Sequence, residues 1–269
     1  MRTLLLILLL ALSGCLSTPG AECEAASCGP APEPIQAELG GIALEGCRGA
    51  QATLNVPASE AQAVVGAAFV PESDLPLAAT LLLEPLRCAR VVLPDAVAED
   101  VGLLWVSLTV HPANASWSNA RVSSYALEVL ATDARVADAL ARAGMPAKNA
   151  TLEHGPVAVV GARLGERWAF HAVDGGYELA WNSPEGTGAR APAFDRDFWG
   201  ASPALRRLDV READTFGFAL GQTAGTLTAE GASVAVRLLR TSEAPFLAQV
   251  LDDSRWAILA SPEQFGVSA

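Results

Sequence analysis

The chain has 269 residues, a formal net charge of −12 at pH 7 and an apolar content of 51%. An acidic body of this kind does not seek nucleic acid and is repelled by an anionic lipid surface. Metal and cofactor sites are not expected either. The three histidines, His111, His154 and His171, lack ligand spacing, no Gly-x-Ser-x-Gly elbow occurs, and the Gly-Gly pairs at 40–41 and 175–176 lie in turn contexts rather than phosphate loops.

The N-terminus carries the strongest signal. Arg2 precedes an uninterrupted apolar run from Leu4 to Leu12, which ends in Leu12-Ser13-Gly14-Cys15. The run is too short to cross a bilayer as a helix, which takes about 20 residues, and suits the apolar region of a signal peptide. Its ending resembles the lipobox of prokaryotic lipoproteins at all four positions. The resemblance implies cleavage before Cys15, diacylglyceryl attachment to its sulfur, and a chain held outside the cytoplasm at the cell envelope by lipid. Loss of residues 1–14 removes Arg2 and no acid, so the mature charge is −13.

Residues 15–38, rich in Pro, Gly, Ala and Glu, read as a tether, and residues 39–269 as one domain. Four cysteines remain after Cys15, and four allow three pairings; export permits disulfides. Cys23 and Cys28 lie close enough in sequence to pair locally, which leaves Cys47 with Cys88. Closing that loop would stabilise the domain by roughly 3–4 kcal/mol.

In chain order, Gln51–Val56 reads as a strand, and the segment from Pro57 as a short helix with Pro in its first turn. Leu77–Leu83 and Ala89–Leu93 read as two strands, Val101–His111 as a long one and Ser123–Ala131 as another, the last with Ala126, Glu128 and Leu130 on one face. Asp133–Ala143 is a helix with Thr132 or Asp133 as cap and Gly144 as stop. Val157–Leu164 and Arg167–Val173 then read as a hairpin turning at Gly165-Glu166, followed by a strand at Tyr177–Trp181. Residues 183–203 read as a long polar loop. Strands are expected near 205–211, 215–220, 224–229 and 233–239, then a helix near 244–252 and a strand at Trp256–Ala260. The fold class is mainly β (α+β): a large curled antiparallel sheet forming a cone or barrel, with a few short helices.

Gly144-Met145-Pro146-Ala147-Lys148, between the helix and the hairpin, resembles the Gly-(Tyr/Phe)-Pro-Lys-Lys segment of the acetoacetate decarboxylase family. Val56-Pro57 through Phe69-Val70-Pro71 is similar to that family's opening strand, helix and turn. The resemblance implies a cone of antiparallel strands around an apolar pocket and β-keto-acid decarboxylation through a lysine Schiff base. The imine-forming lysine of the pair corresponds to Ala147, and only the second lysine is kept, as Lys148. Lys148 is the sole lysine of the chain, so no neighbouring lysine can lower its pKa. Glu128 could partner Lys148 or Arg163 in the pocket, or stand on the solvent side of its strand, and Glu84 in the run Leu-Leu-Leu-Glu-Pro raises the same choice.

Three readings follow. The first is a non-catalytic, lipid-anchored relative of the decarboxylase fold that binds a small apolar or keto-acid-like ligand in its cone. The second is a Lys148-dependent lyase of decarboxylase or aldol type. The third is an envelope interaction or scaffold lipoprotein, which a filled barrel interior would favour.

Overall fold

The computed structural model describes residues 41–73, 75–113, 122–159, 163–182, 189–190, 194–201, 205–213, 216–217, 223–231 and 234–264. Contacts divide the chain into two units, 1–34 and 35–269, and every described residue lies in the second. Cys15, Cys23, Cys28 and the tether fall outside the described residues.

The first half of the domain comprises β1 (Ile42–Pro57), α1 (Ala58–Val65), β2 (Phe69–Pro71), β3 (Ala78–Val92), β4 (Val97–Pro112), β5 (Val122–Ala131), α2 (Ala134–Arg142) and β6 (Ala147–Asn149). The second half comprises β7 (Thr151–Val159), β8 (Arg163–Ala172), β9 (Gly175–Asn182), β10 (Ala189–Arg190), β11 (Phe194–Ala201), β12 (Leu205–Ala213), β13 (Phe216–Gly217), β14 (Thr223–Gly231), α3 (Val234–Leu239) and β15 (Glu243–Gln264). Among the described residues, strand makes up 71% and helix 13%, and the sheet as a whole curls 208° round one axis. The mainly β, curled-sheet class is therefore what forms.

The main path of the sheet runs β1-β3-β4-β5-β11-β12-β15-β14-β9-β8-β7. β1 also pairs with β15, from Ile42↔Ile258 to Thr53↔Leu247. That extra ladder joins β1, β3, β4, β5, β11, β12 and β15 into a closed ring of hydrogen-bonded strands. Most neighbours are antiparallel, but β5 runs parallel to both β11 and β6.

Two cores lie on opposite faces of the ring wall. The inner one is built by all seven ring strands, with Leu44, Leu86, Val91, Leu103, Val129, Leu208, Val210 and Ile258 among its members, and α2 adds Val136 and Leu140. Its aromatic centre is Trp105, Phe198 and Trp256, with ring centroids 4.8 Å (Trp105–Phe198) and 6.4 Å (Trp105–Trp256) apart. Cys47 and Cys88 face each other in the β1–β3 register and form a disulfide within this core. The outer core packs the other face of the wall against α1, α3 and the arm of β14, β9 and β8, around Trp168, Phe170, Tyr177 and Trp181.

Several segments depart from the sequence expectations. The two strands foreseen around residue 84 are one, β3. Its Pro85 sits between the β1 pairs Gly49↔Leu86 and Ala52↔Leu83, where no β1 pairing demands its missing N–H. Gly165 and Glu166 are not a turn but lie inside β8, opposite Val157 and Pro156. The supposed loop at 183–203 contains β10 and β11, and β11 buries Phe198 and Trp199. Residues 233–239 carry α3 rather than a strand, and 244–252 lie in β15 rather than in a helix. Pairing on both sides of β15, with β1 and β14, outweighs the helix propensity of its Ala, Leu and Gln residues.

Candidate functional site

The Gly144–Lys148 segment is fixed from both ends. Asp133 caps α2, its carboxylate accepting from the backbone N–H of Arg135 at 2.8 Å and of Val136. Gly144 ends the helix at φ 95°, and its N–H donates to the Ala141 carbonyl. Met145 is fully buried in the inner core. Gly200 of β11 passes so close that a Cβ there would stand 2.2 Å from the Gly144 carbonyl oxygen. Ala147 and Lys148 then pair in parallel with Val129 and Leu130 of β5, and adjacent strand residues face opposite sides. Ala147 packs against the inner core, so its side chain faces into the ring.

Lys148 emerges on the other side. Its Nζ donates to Glu128 Oε1 at 3.0 Å and to Asp174 Oδ2, at the β8–β9 turn, at 2.5 Å. Glu128, 5% exposed, also accepts from the Tyr177 hydroxyl at 2.5 Å. A strict two-residue alternation would put Glu128 on the face of Ala126. The β4–β5 register instead shifts between Val106↔Glu128 and Ser107↔Ala126, leaving Leu127 as an extra residue. This bulge turns Glu128 to the outer side with Leu130, while Ala126 and Val129 face inward. Glu128 is therefore buried beside Lys148 rather than set on a solvated face. Arg163 begins β8, and its side chain lies outside the described residues.

Burial by itself would lower the pKa of Lys148, but the hydrogen bonds to Asp174 and Glu128 outweigh it and hold the ammonium above its ordinary value. Asp174 is pulled below the usual carboxylate range, chiefly by its bond from Lys148. A lysine so placed is a cation, not a free amine. The depressed Asp174 contributes stability that is full above its unfolded pKa near 3.8 and disappears as pH falls through the lower folded value. The raised Lys148 contributes stability that is full below 10.5 and disappears as pH rises through the higher folded value. Asp174→Asn should therefore flatten the fall of the urea midpoint from about pH 5 to pH 2 relative to the parent protein.

Inside the ring lies a second polar centre. Glu84, 0% exposed, and Arg196, 1% exposed, come from β3 and β11 and meet across the interior, with Arg196 Nη1 donating to Glu84 Oε1 at 2.7 Å. Gln51 donates to the same oxygen at 3.0 Å. Arg196 Nε and Nη2 donate to Ser124 Oγ at 3.3 and 3.1 Å, and its guanidinium lies 4.5 Å from the Phe198 ring centre. Glu84 is thus no surface acid. Glu84 Oε2, Trp105 Nε1, Ser107 Oγ and Trp256 Nε1 are among the buried side-chain atoms of the described residues that have no hydrogen-bond partner within the chain, and Trp105 lies opposite Glu84 in the β3–β4 register.

Sequence reading did not single out Arg196, Ser124, Gln51, Ser107, Tyr177 or Asp174. A usable signal was Glu84 itself, a charge inside an otherwise apolar strand that is buried on both faces.

No family model matches the sequence, and no curated protein matches it. Solved structures do. An acetoacetate decarboxylase from Legionella pneumophila subsp. pneumophila str. Philadelphia 1 superposes with a TM-score of 0.56 at 11% identity, over 93% of this chain and 98% of that one. The chain has the acetoacetate decarboxylase fold. The enduracididine biosynthesis enzyme MppR shares it, with a TM-score of 0.53 at 11% identity over 84% of this chain and 88% of that one. MppR complexed with pyruvate gives 0.52 at 11% identity, over 83% and 90%. Within this acetoacetate decarboxylase fold, Ala147 faces the ring interior and the only lysine faces away from it.

Proposed function

We propose that the protein is a lipid-anchored, extracytoplasmic binding protein, whose decarboxylase-fold domain takes a small molecule in its ring without forming an imine. The observation that carries the reading is the pairing of two facts about one segment. Ala147, which has no amine, faces the interior, and Lys148 is held as an ammonium by two carboxylates on the opposite side. A lysine that stays protonated is a poor nucleophile. The MppR complex with pyruvate supplies a precedent for a small ligand in this fold.

The lipobox-like Leu12-Ser13-Gly14-Cys15 supports anchoring. In the native host, Cys15→Ala should move the protein out of the membrane fraction, and unchanged membrane association would contradict the anchor. Native mass spectrometry of the full mature chain should show a retained small molecule that is lost on denaturation. A chain that never carries one, from the host or after incubation with candidate ligands, would contradict binding. It would favour an envelope scaffold instead, a reading supported by the aromatic packing of Trp105, Phe198 and Trp256 inside the ring.

A further inference from the structure

A cleft of about 390 Å3 lies on the outer side of the ring wall, lined by Arg87 of β3, Asp100 of β4, Thr132 after β5, and Thr151 and His154 of β7. Gly102 lets β7 come this close to the wall, because a Cβ there would stand 2.7 Å from the Leu152 side chain and 2.9 Å from that of Thr132. Thr132 is pinned at the same point. Its Oγ1 accepts from the Gly102 N–H at 2.8 Å, and its own N–H donates to the Gly102 carbonyl. We infer that this cleft binds a small carboxylate on the Arg87 guanidinium, and that Asp100 fills that place while the cleft is empty.

Arg87 Nε and Nη2 donate to Asp100 Oδ1 and Oδ2 at 2.5 and 2.6 Å, the two-pronged geometry in which arginine takes a carboxylate. Asp100 makes this pair from a strained backbone. It lies within β4 at φ 54°, in the left-handed region that residues with a side chain seldom adopt. The two side chains are 36% and 63% exposed, so a dissolved anion can reach the pair without unfolding. Arg48, also exposed, stands directly opposite Arg87 in the β1–β3 register, and like charges so placed repel unless an anion lies between them. Asp100 is that anion. Its carboxyl is held below the usual range first by the bonds from Arg87 and, more weakly, by the charge of Arg48. Arg90, further along β3, is engaged by Glu45 at 3.0 Å. A displaced Asp100 keeps Arg48 as its partner, so an entering carboxylate leaves no charge unmatched, whereas a neutral molecule would strip Arg87 of its anion. The Thr132 and Thr151 hydroxyls and the His154 imidazole, packed on Trp168 at 4.4 Å, stand in the same cleft for a keto or hydroxyl group beside the carboxylate.

The backbone amides of Gly102 and Thr132 report on the cleft in a 15N-labelled full mature chain held in detergent. Pyruvate at neutral pH should shift both saturably, and pyruvamide, the same shape without the charge, should leave them in place. Asp100→Asn removes the competing charge and tolerates the same left-handed backbone. It should tighten pyruvate about fivefold, the scale of one exposed ion pair. Arg87→Met should abolish the response. The inference is overturned if the shifts survive Arg87→Met, if pyruvamide reproduces them, or if Asp100→Asn binds no tighter than the parent. It is overturned as well if pyruvate moves neither amide in the parent and in Asp100→Asn. The cleft lies outside the ring, so each of these results leaves the test of ring binding by native mass spectrometry standing on its own.

Discussion

Arg196→Ala is expected to lower the stability of the domain by about 3–5 kcal/mol, the range for breaking a buried ion pair from one side. Glu84 has no solvent exposure, and removal of the guanidinium leaves its charge inside the ring with the neutral Gln51 amide as its donor. Ser124 loses both bonds from the same side chain, and Phe198 loses the cation over its ring. The urea midpoint should fall while the slope of the transition stays constant, because the surface exposed on unfolding barely changes. The pair itself is worth much less than this loss. Glu84→Gln combined with Arg196→Met removes both charges at similar volume and should recover most of the stability, giving a strongly non-additive cycle. If Arg196→Ala alone costs under about 1 kcal/mol, the two groups are hydrated rather than enclosed.

Removing the Cys47–Cys88 disulfide, as Cys47→Ala with Cys88→Ala, should cost about 3–4 kcal/mol. The bridge spans 41 residues of sequence, and the chain-entropy model gives that figure for a loop of this length. Both cysteines are fully buried in the inner core and sit opposite each other on β1 and β3. The native strands are paired there with or without the covalent link, so the larger effect falls on the unfolded chain. Urea titration of the double variant beside the parent protein measures it. A difference below about 1 kcal/mol would mean that the unfolded chain is already confined without the bridge.

Much of the fold was legible because its signals are local. Asp133, the apolar face of α2 and Gly144 mark a helix with both ends labelled, and the structure keeps it within a residue or so at each end. The short strands and frequent turn residues implied a sheet that must curl, and it does. What escaped depends on tertiary context. Pro85 reads as a break because proline usually ends strands, yet β3 runs through it where β1 asks for no N–H. Residues 244–252 have helical propensity but are claimed by ladders on both sides. The bulge at Leu127 carries no sequence mark, and one extra residue is enough to turn Glu128 from one side of the wall to the other. Arg196 was hidden in a stretch read as a polar loop, so the ion pair with Glu84 could not be foreseen from either residue.

The Gly-Met-Pro-Ala-Lys segment was the most informative stretch of sequence. Its meaning is sharpened by the opposite directions of its last two residues, Ala147 inward and Lys148 outward onto Glu128 and Asp174. The most direct test is borohydride trapping with a β-keto acid or pyruvate at neutral pH, read by intact mass and peptide mapping. Lys148 is the only lysine, so a side-chain imine has one place to form. The expected result is an unmodified Lys148 at keto-acid concentrations that saturate a control amine. A reduced adduct mapped to Lys148, together with decarboxylation abolished by Lys148→Ala, would contradict the account and make the protein a lyase.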